Sequence, residues 1–174
     1  MGAGILPATL IKGKLHFLFG KENQYEDSAP GFSDFGGGID GKETKLQAAI
    51  REGREETTGF LGTESEIRRM LKRTYNIDLT NGEHRTHIFF MEYDPMLERY
   101  YNNNQRFIQE KLSKEIIKSV KIFEKAEIRW ICVDDLVRKK QIFRHYYRDT
   151  IQQIYNDQRE ILSFIKGSKT RKNR

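Results

Sequence analysis

A chain of 174 residues, 37% hydrophobic and 32% charged, suits one compact soluble domain with a full core. Its net charge of +6 favours polyanionic partners such as nucleic acid or nucleotides, or else reflects a solvated lysine-rich surface. No run approaches the ~18 to 20 apolar residues of a membrane span, so no membrane partner is expected. The lone Cys132 excludes an internal disulfide or a multi-cysteine zinc site, and a reducing, cytoplasmic setting is expected.

The opening stretch MGAGILPATLIKGK has no basic n-region of a secretory signal, and Leu6 stands where a myristoylation signal wants Ser or Thr. Two apolar, β-prone runs flank Lys12-Gly13-Lys14 and predict a β-hairpin. Asn23 to Gly31 is polar, holds Pro30 and reads as a loop. Phe32 to Ile39 predicts one short strand ending in a glycine turn, with Phe32 and Phe35 alternating against Ser33 and Asp34. From Thr44 to Thr58 the spacing predicts a helix with Leu46, Ala49, Ile50 and Gly53 facing inward, and Gly59 stands where a C-terminal cap would.

Thr63 followed by Glu66 is a capping-box pattern that opens a second helix. Arg85 to Tyr93 reads as a strand, Arg106 to Val120 as a helix, and Glu127 to Leu136 as a strand running into a turn. A long helix is expected from about Arg144 to Ile165, and residues 167–174 as a basic, disordered tail behind a single domain of residues 1–166. Strands alternating with helices in one short chain predict a sheet with helices packed on its faces.

One feature stands out chemically. Glu52, Glu55 and Glu56 share one helix face, directly after the glycine run Gly36-Gly37-Gly38. Carboxylates crowded in this way make a hard-oxygen site suited to Mg²⁺ or Mn²⁺, and the glycines let backbone approach a ligand closely. Such an ion neutralises phosphate oxygens and lowers the pKa of bound water. Taken alone, the same residues also describe an exposed helix salt-bridged by Arg51 and Arg54.

The full spacing resembles the Nudix box, Gly-x5-Glu-x7-Arg-Glu-U-x-Glu-Glu-x-Gly-U, with U a bulky aliphatic residue. Gly37, Glu43, Arg51, Glu52, Glu55 and Glu56 all stand where that pattern puts them. Gly53 departs from it, and Thr58 occupies the place of the last glycine, with Gly59 one position late; this reads as one extra residue at the helix end. The resemblance implies an α/β/α sandwich, a mixed β-sheet between helices with the box as loop-helix-loop, and a hydrolase of phosphoanhydride bonds in nucleoside-diphosphate-linked substrates. It implies that Glu52, Glu55, Glu56 and the Gly37 carbonyl hold Mg²⁺ or Mn²⁺. Arg51 would position the glutamates, Glu43 would brace the loop, and Gly37 and Gly38 would shape the substrate-binding turn.

A general base outside the box is expected at Glu124 or Glu127, near Trp130; the position of Glu124 resembles the base of mRNA-decapping Nudix enzymes. The box does not discriminate among substrates. Basic stretches at Ile67–Arg73 and Val137–Arg148, with the tail, suit a polyanion track. Aromatic candidates for base stacking are Tyr25, Phe32, Phe35, Tyr100, Tyr101, Tyr146 and Tyr147, with Tyr100 and Tyr101 favoured as exposed. The segment from Asp94 to Lys121 resembles a helical insertion between the last strands of a minimal Nudix fold. Capped RNA or another nucleotide is the expected substrate. Diphosphoinositol polyphosphates and dinucleoside polyphosphates are alternatives, a non-catalytic RNA-binding module is a third reading, and a homodimer is an open possibility that the resemblance brings.

Overall fold

The structure, a computed structural model, describes residues 1–24, 29–79, 82–119 and 124–172. Tyr25, the end of the 94–121 segment and the last two residues of the tail lie outside it. Seven strands form one mixed sheet with helices on both faces.

β1 (Gly2–Ile11) and β2 (Lys14–Glu22) make the expected hairpin. Its two-residue turn puts Lys12 and Gly13 at φ 50° and 79°, the left-handed geometry that matches strand twist. β1 is central: it runs parallel to β6 (His84–Phe90) on one side and antiparallel on the other, first to β4 (Phe35–Gly38) and then to β2. Pro7, which has no N–H to donate, falls at the changeover between Ile5, the last partner of β4, and Ala8, the first partner of β2. Because β1 is covered on both faces it reads as a continuous apolar run. Leu6 and Ala8 enter a core with Phe17, Phe19 and Tyr147 under the C-terminal helices, and Ala3 and Ile5 enter a second core with Phe35, Ala49 and Ile128.

The single strand expected over Phe32–Ile39 is divided. β3 (Phe32–Ser33) pairs with β2 and β4 pairs with β1, with Asp34 at the step between them. A short strand that the sequence pattern did not reveal, β5 (Tyr75–Asp78), pairs with β6 at the sheet margin. The helices are α1 (Lys45–Glu56), α2 (Glu64–Met70), α3 (Leu97–Lys111) and α4 (Lys114–Ser119), then α5 (Val133–Leu136), α6 (Arg148–Asn156) and α7 (Gln158–Lys172). Thr44 and Thr63 cap α1 and α2 through complete capping boxes. The helix expected over 106–120 is broken at Leu112–Ser113, and the long C-terminal helix is broken at Asp157. α7 continues past Gly167 to Lys172, into the stretch expected as a basic tail.

The 94–121 segment has a definite structural task. β7 (Lys125–Cys132) pairs with β2 on one edge. On the other, α3 supplies side chains in place of a strand. Asn102 donates to the Ile128 carbonyl at 2.9 Å and accepts from the Ile128 N–H at 2.8 Å. Glu98 accepts from the Trp130 N–H at 3.1 Å, and the Tyr101 hydroxyl donates to the Lys125 carbonyl at 3.1 Å. These contacts satisfy backbone groups that a bare sheet edge would leave open.

α1 ends in a Schellman motif: Gly59 N–H bonds to the Arg54 carbonyl and Thr58 N–H to the Glu55 carbonyl, both at 3.0 Å. Thr58 itself takes φ 51° at the turn position where the Nudix box has glycine. No residue is inserted; a β-branched side chain occupies the left-handed position, at a cost of roughly 1–2 kcal/mol. Thr58→Gly is therefore expected to stabilise the fold by about 1 kcal/mol and raise the thermal midpoint by roughly 2–4 °C. Calorimetry on the two proteins checks this.

Candidate active site

At the end of the sheet where β4, β1 and β6 begin or finish lies a cleft of about 610 Å³. Gly2, Gly36, Gly37 and Gly38 contribute a floor of bare backbone. α1 presents Arg51, Glu52, Glu55 and Glu56 to the cleft, and Glu22, Glu124, His84, Arg144 and Tyr146 also line it.

Arg51 organises the acidic wall. Its guanidinium donates to both oxygens of Glu43 at 3.0 Å, to Glu52 Oε1 at 2.6 Å and to the Gly38 carbonyl at 3.0 Å, and reaches Glu55 Oε2 at 3.5 Å. Its ion pairs hold the guanidinium above its ordinary pKa, Glu43 first among them, and the Glu43 carboxyl is correspondingly lowered by Arg51. Close approach of Glu52 depends on glycine: a Cβ at Gly37 would lie 2.5 Å from the Glu52 carboxyl carbon. Gly53, turned inward on α1, leaves room for Ile5, whose Cδ1 would sit 2.3 Å from a Cβ there.

Glu52, Glu56 and Glu124 each bring a carboxylate oxygen to within 4.8 Å of the others, a spacing that fits one divalent cation. Glu55 lines the cleft but lies outside that trio, with its side chain 46% exposed. Of the two base candidates, Glu124 lines the cleft. Glu127 does not; it pairs with Arg129 and Lys21 along β7. The proposed Gly37 carbonyl ligand is corrected by strand alternation. The Gly36 N–H donates to Glu56 and the Gly38 carbonyl accepts from Arg51, whereas the Gly37 carbonyl is turned towards β1, 2.6 Å from the Cβ position of Gly2.

Beneath the cluster lies a buried charge network that the sequence pattern did not reveal. Lys125, 0% exposed, sits 2.7 Å from Glu22 Oε2 and 2.9 Å from Glu56 Oε1. Arg144 also reaches Glu22 at 2.8 Å, and Glu56 Oε2 accepts from the Gly36 N–H at 2.7 Å. Burial pushes the Glu56 carboxyl up to about 8, Lys125 opposing and Glu22 adding to the rise. Burial pulls Lys125 down, yet the adjoining Glu56 and Glu22 outweigh it and leave Lys125 raised and charged. Glu56 is thus held between burial, which favours its neutral form, and Lys125, which favours its charged form.

Tyr100 and Tyr101 have different surroundings. Tyr100 is exposed but away from the cleft, and Tyr101 is only 6% exposed, its hydroxyl donating to the backbone carbonyls of Glu56 and Lys125. Adjacent helix residues point about 100° apart, so one faces solvent and the other the core. Phe32, Phe35 and Tyr147 are core residues. Tyr146 is the aromatic that faces the cleft, with Arg144 stacked 4.9 Å from its ring centre and His84 edge-on at 6.1 Å. Of the basic stretches, Arg69, Lys72 and Arg73 flank a hollow with Phe90 and Met91, at the other end of β6 from His84. The 137–148 segment instead borders the cleft through Arg144. It also lines a separate hollow of about 470 Å³, through residues that include Arg148, with Lys21 and Arg129. No helix is long and apolar enough to cross a membrane among the described residues.

Neither family models nor curated proteins give a match to this sequence. Solved structures do. A C. elegans Ap4A hydrolase in a binary complex is similar at 16% identity and a TM-score of 0.50, over 96% of this chain and 99% of that one. A Nudix hydrolase from M. smegmatis is similar at 16% identity and a TM-score of 0.47, over 94% of this chain and 86% of that one. A MutT protein from Methanosarcina mazei is similar at 16% identity and a TM-score of 0.48, over 90% and 93%. The match to the C. elegans enzyme shows the fold: a mixed sheet between helices of the Nudix type.

Proposed function

We infer that the chain is a Nudix hydrolase that cleaves a phosphoanhydride bond in a nucleoside-diphosphate-linked substrate, with capped RNA favoured. The observation that carries the reading is the joining of Glu52, Glu56 and Glu124 over a side-chain-free glycine floor, with Arg51 bracing the box. Glu52, Glu56 and Glu124 would hold Mg²⁺ or Mn²⁺, which when bound neutralises the phosphate oxygens. Lone pairs remain on Glu52 and Glu56 beyond those given to Arg51, Gly36 and Lys125. Glu55 or Glu124 takes the proton of the attacking water, and the bridging phosphorus–oxygen bond breaks towards the leaving phosphate. Arg51 keeps Glu52 and Glu55 aimed inward throughout.

Capped RNA is favoured on the net charge of +6 and on the basic hollow that Lys21, Arg129 and Arg148 line, which Phe143 also lines, one residue before Arg144 of the cleft. Dinucleoside polyphosphate is the second reading, supported by the fold shared with the C. elegans Ap4A hydrolase. The test is to incubate the protein and Mn²⁺ with capped transcripts, a bare cap dinucleotide, dinucleoside polyphosphates and diphosphoinositols, and to identify products by mass. Methylated guanosine diphosphate is expected from capped RNA, with long transcripts cleaved faster than the bare cap and the advantage fading as salt rises. Equal rates on transcript and bare cap, or cleavage of dinucleoside polyphosphates alone, overturn the RNA reading.

A further inference from the structure

The cleft lining outside α1 holds a second charge device, reaching from the step between β3 and β4 across β1 to β6. Asp34, at the step between β3 and β4, is 0% exposed. Its carboxylate crosses β1 at Gly4, where a Cβ would lie 2.5 Å from Oδ2. Beyond Gly4 that oxygen accepts from His84 Nε2 at 2.9 Å and from the Thr86 hydroxyl at 2.7 Å, both on β6. Its other oxygen is buried without a hydrogen-bond partner among the described residues. A buried carboxylate so placed, with one neutral hydroxyl as its only other donor, would be left uncompensated by a neutral imidazole, at a cost of several kcal/mol. His84 Nε2 is paired with Asp34 at 2.9 Å, and the imidazolium form is the one that compensates the carboxylate. Around the ring stand Arg144, Tyr146 and Tyr147 from the 144–147 turn, Glu83 beside it, and Lys45 from α1. Burial and the cations Lys45 and Arg144 work against charging the ring, yet its pKa remains above the ordinary value because Asp34 outweighs them.

With Nε2 committed to Asp34, the other ring nitrogen decides what His84 can do. Nδ1 lies beside Gly2, 3.0 Å from where a Cβ would stand, and Gly2 and His84 both line the cleft. In the imidazolium Nδ1 carries a proton and donates. Gly38, Gly2 and His84 lie in one row across β4, β1 and β6, so His84 stands two strand spacings, about 10 Å, from the glycine strand that adjoins Glu52.

We propose that His84, braced by buried Asp34, is a phosphate-recognition residue that binds a phosphate further along the bridge than the two nearest Glu52, Glu56 and Glu124. The protein thereby favours bridges of three or more phosphates over a simple diphosphate. The proposal rests on the reading of the cleft as a phosphoanhydride-cleaving site. Asp34 is a positioning residue: it touches no substrate and acts by keeping Nδ1–H available.

Two measurements test it. Imidazole ¹⁵N resonances of the intact protein, titrated with inorganic triphosphate in the absence of divalent metal, are expected to show the His84 signal protonated at neutral pH and moving on addition. The apparent affinity should fall about tenfold in Asp34→Asn, the scale of one charge-assisted hydrogen bond. In steady-state kinetics, His84→Gln should raise KM about tenfold on a triphosphate-bridged substrate and change it less than about twofold on a diphosphate-bridged one, with kcat nearly constant. A His84 signal that ignores triphosphate, or an equal rise of KM on both substrates, overturns the proposal; the spectrum of the unmutated protein decides even where a variant fails to fold. If the protein cleaves no substrate and His84 still responds to triphosphate, the hydrolase reading fails and phosphate recognition stands.

Discussion

Glu124→Gln is expected to lower turnover about 10²–10⁴-fold while leaving the fold intact. The change keeps the side chain's size and removes only its charge and basicity. Glu124 lies in the cleft directly before β7, with a carboxylate oxygen within 4.8 Å of those of Glu52 and Glu56. Comparing Mn²⁺ affinity with kcat separates its two possible tasks. A residue that chiefly holds the cation loses affinity, and activity returns at high Mn²⁺; a residue that takes the proton from water loses kcat at saturating metal. Glu127→Gln, by contrast, should leave turnover within about twofold, because Glu127 lies outside the cleft beside Lys21 and Arg129. Unchanged turnover in Glu124→Gln would remove Glu124 from the reaction and return the role of base to Glu55.

Lys125→Met should cost about 3–5 kcal/mol of stability, the range for leaving buried charges without their partner, and lower the thermal midpoint by roughly 6–20 °C. The long apolar side chain fills much of the same space, but Glu22 and Glu56 lose the ammonium group between them. The sign of the pH response follows from Glu56. Its folded pKa, near 8, is raised above the ordinary carboxylate range, so the folded chain binds more protons than the unfolded one between those limits. That contribution to stability is complete on the acid side and is lost as pH rises through about 8. Lys125→Met removes the cation that opposes this rise, so its stability should fall more steeply with pH than that of the unmutated protein. Added Mn²⁺ should restore part of the loss by supplying charge to Glu56. Urea unfolding at pH 6 and pH 8, with and without Mn²⁺, checks each sign; a variant as stable as the parent at both would show that Lys125 is dispensable.

The acidic wall was legible because its residues lie close together in sequence and the helical period fixes which of them share a face. Glu52, Glu55 and Glu56 needed no knowledge of distant contacts. Lys125 was not legible. Set between Glu124 and Glu127, it reads as one more surface charge, and its partner Glu22 is 103 positions away. His84 and Asp34 were hidden for the same reason, since their meeting depends on Gly4 leaving a passage through β1. The break at Asp157 was missed because composition alone suggested one continuous apolar stripe. Tyr146 was visible as an aromatic in a basic stretch, but only the turn at 145–147 brings its ring to the cleft.

The pairing of Asn102 and Glu98 with β7 has a consequence for self-association. A side-chain amide that imitates a neighbouring strand also denies that position to any other chain, so the sheet cannot grow by templating a second copy against β7. The opposite margin offers β5, a strand of only four residues. Fibril-like stacking is therefore discouraged at both ends of the sheet.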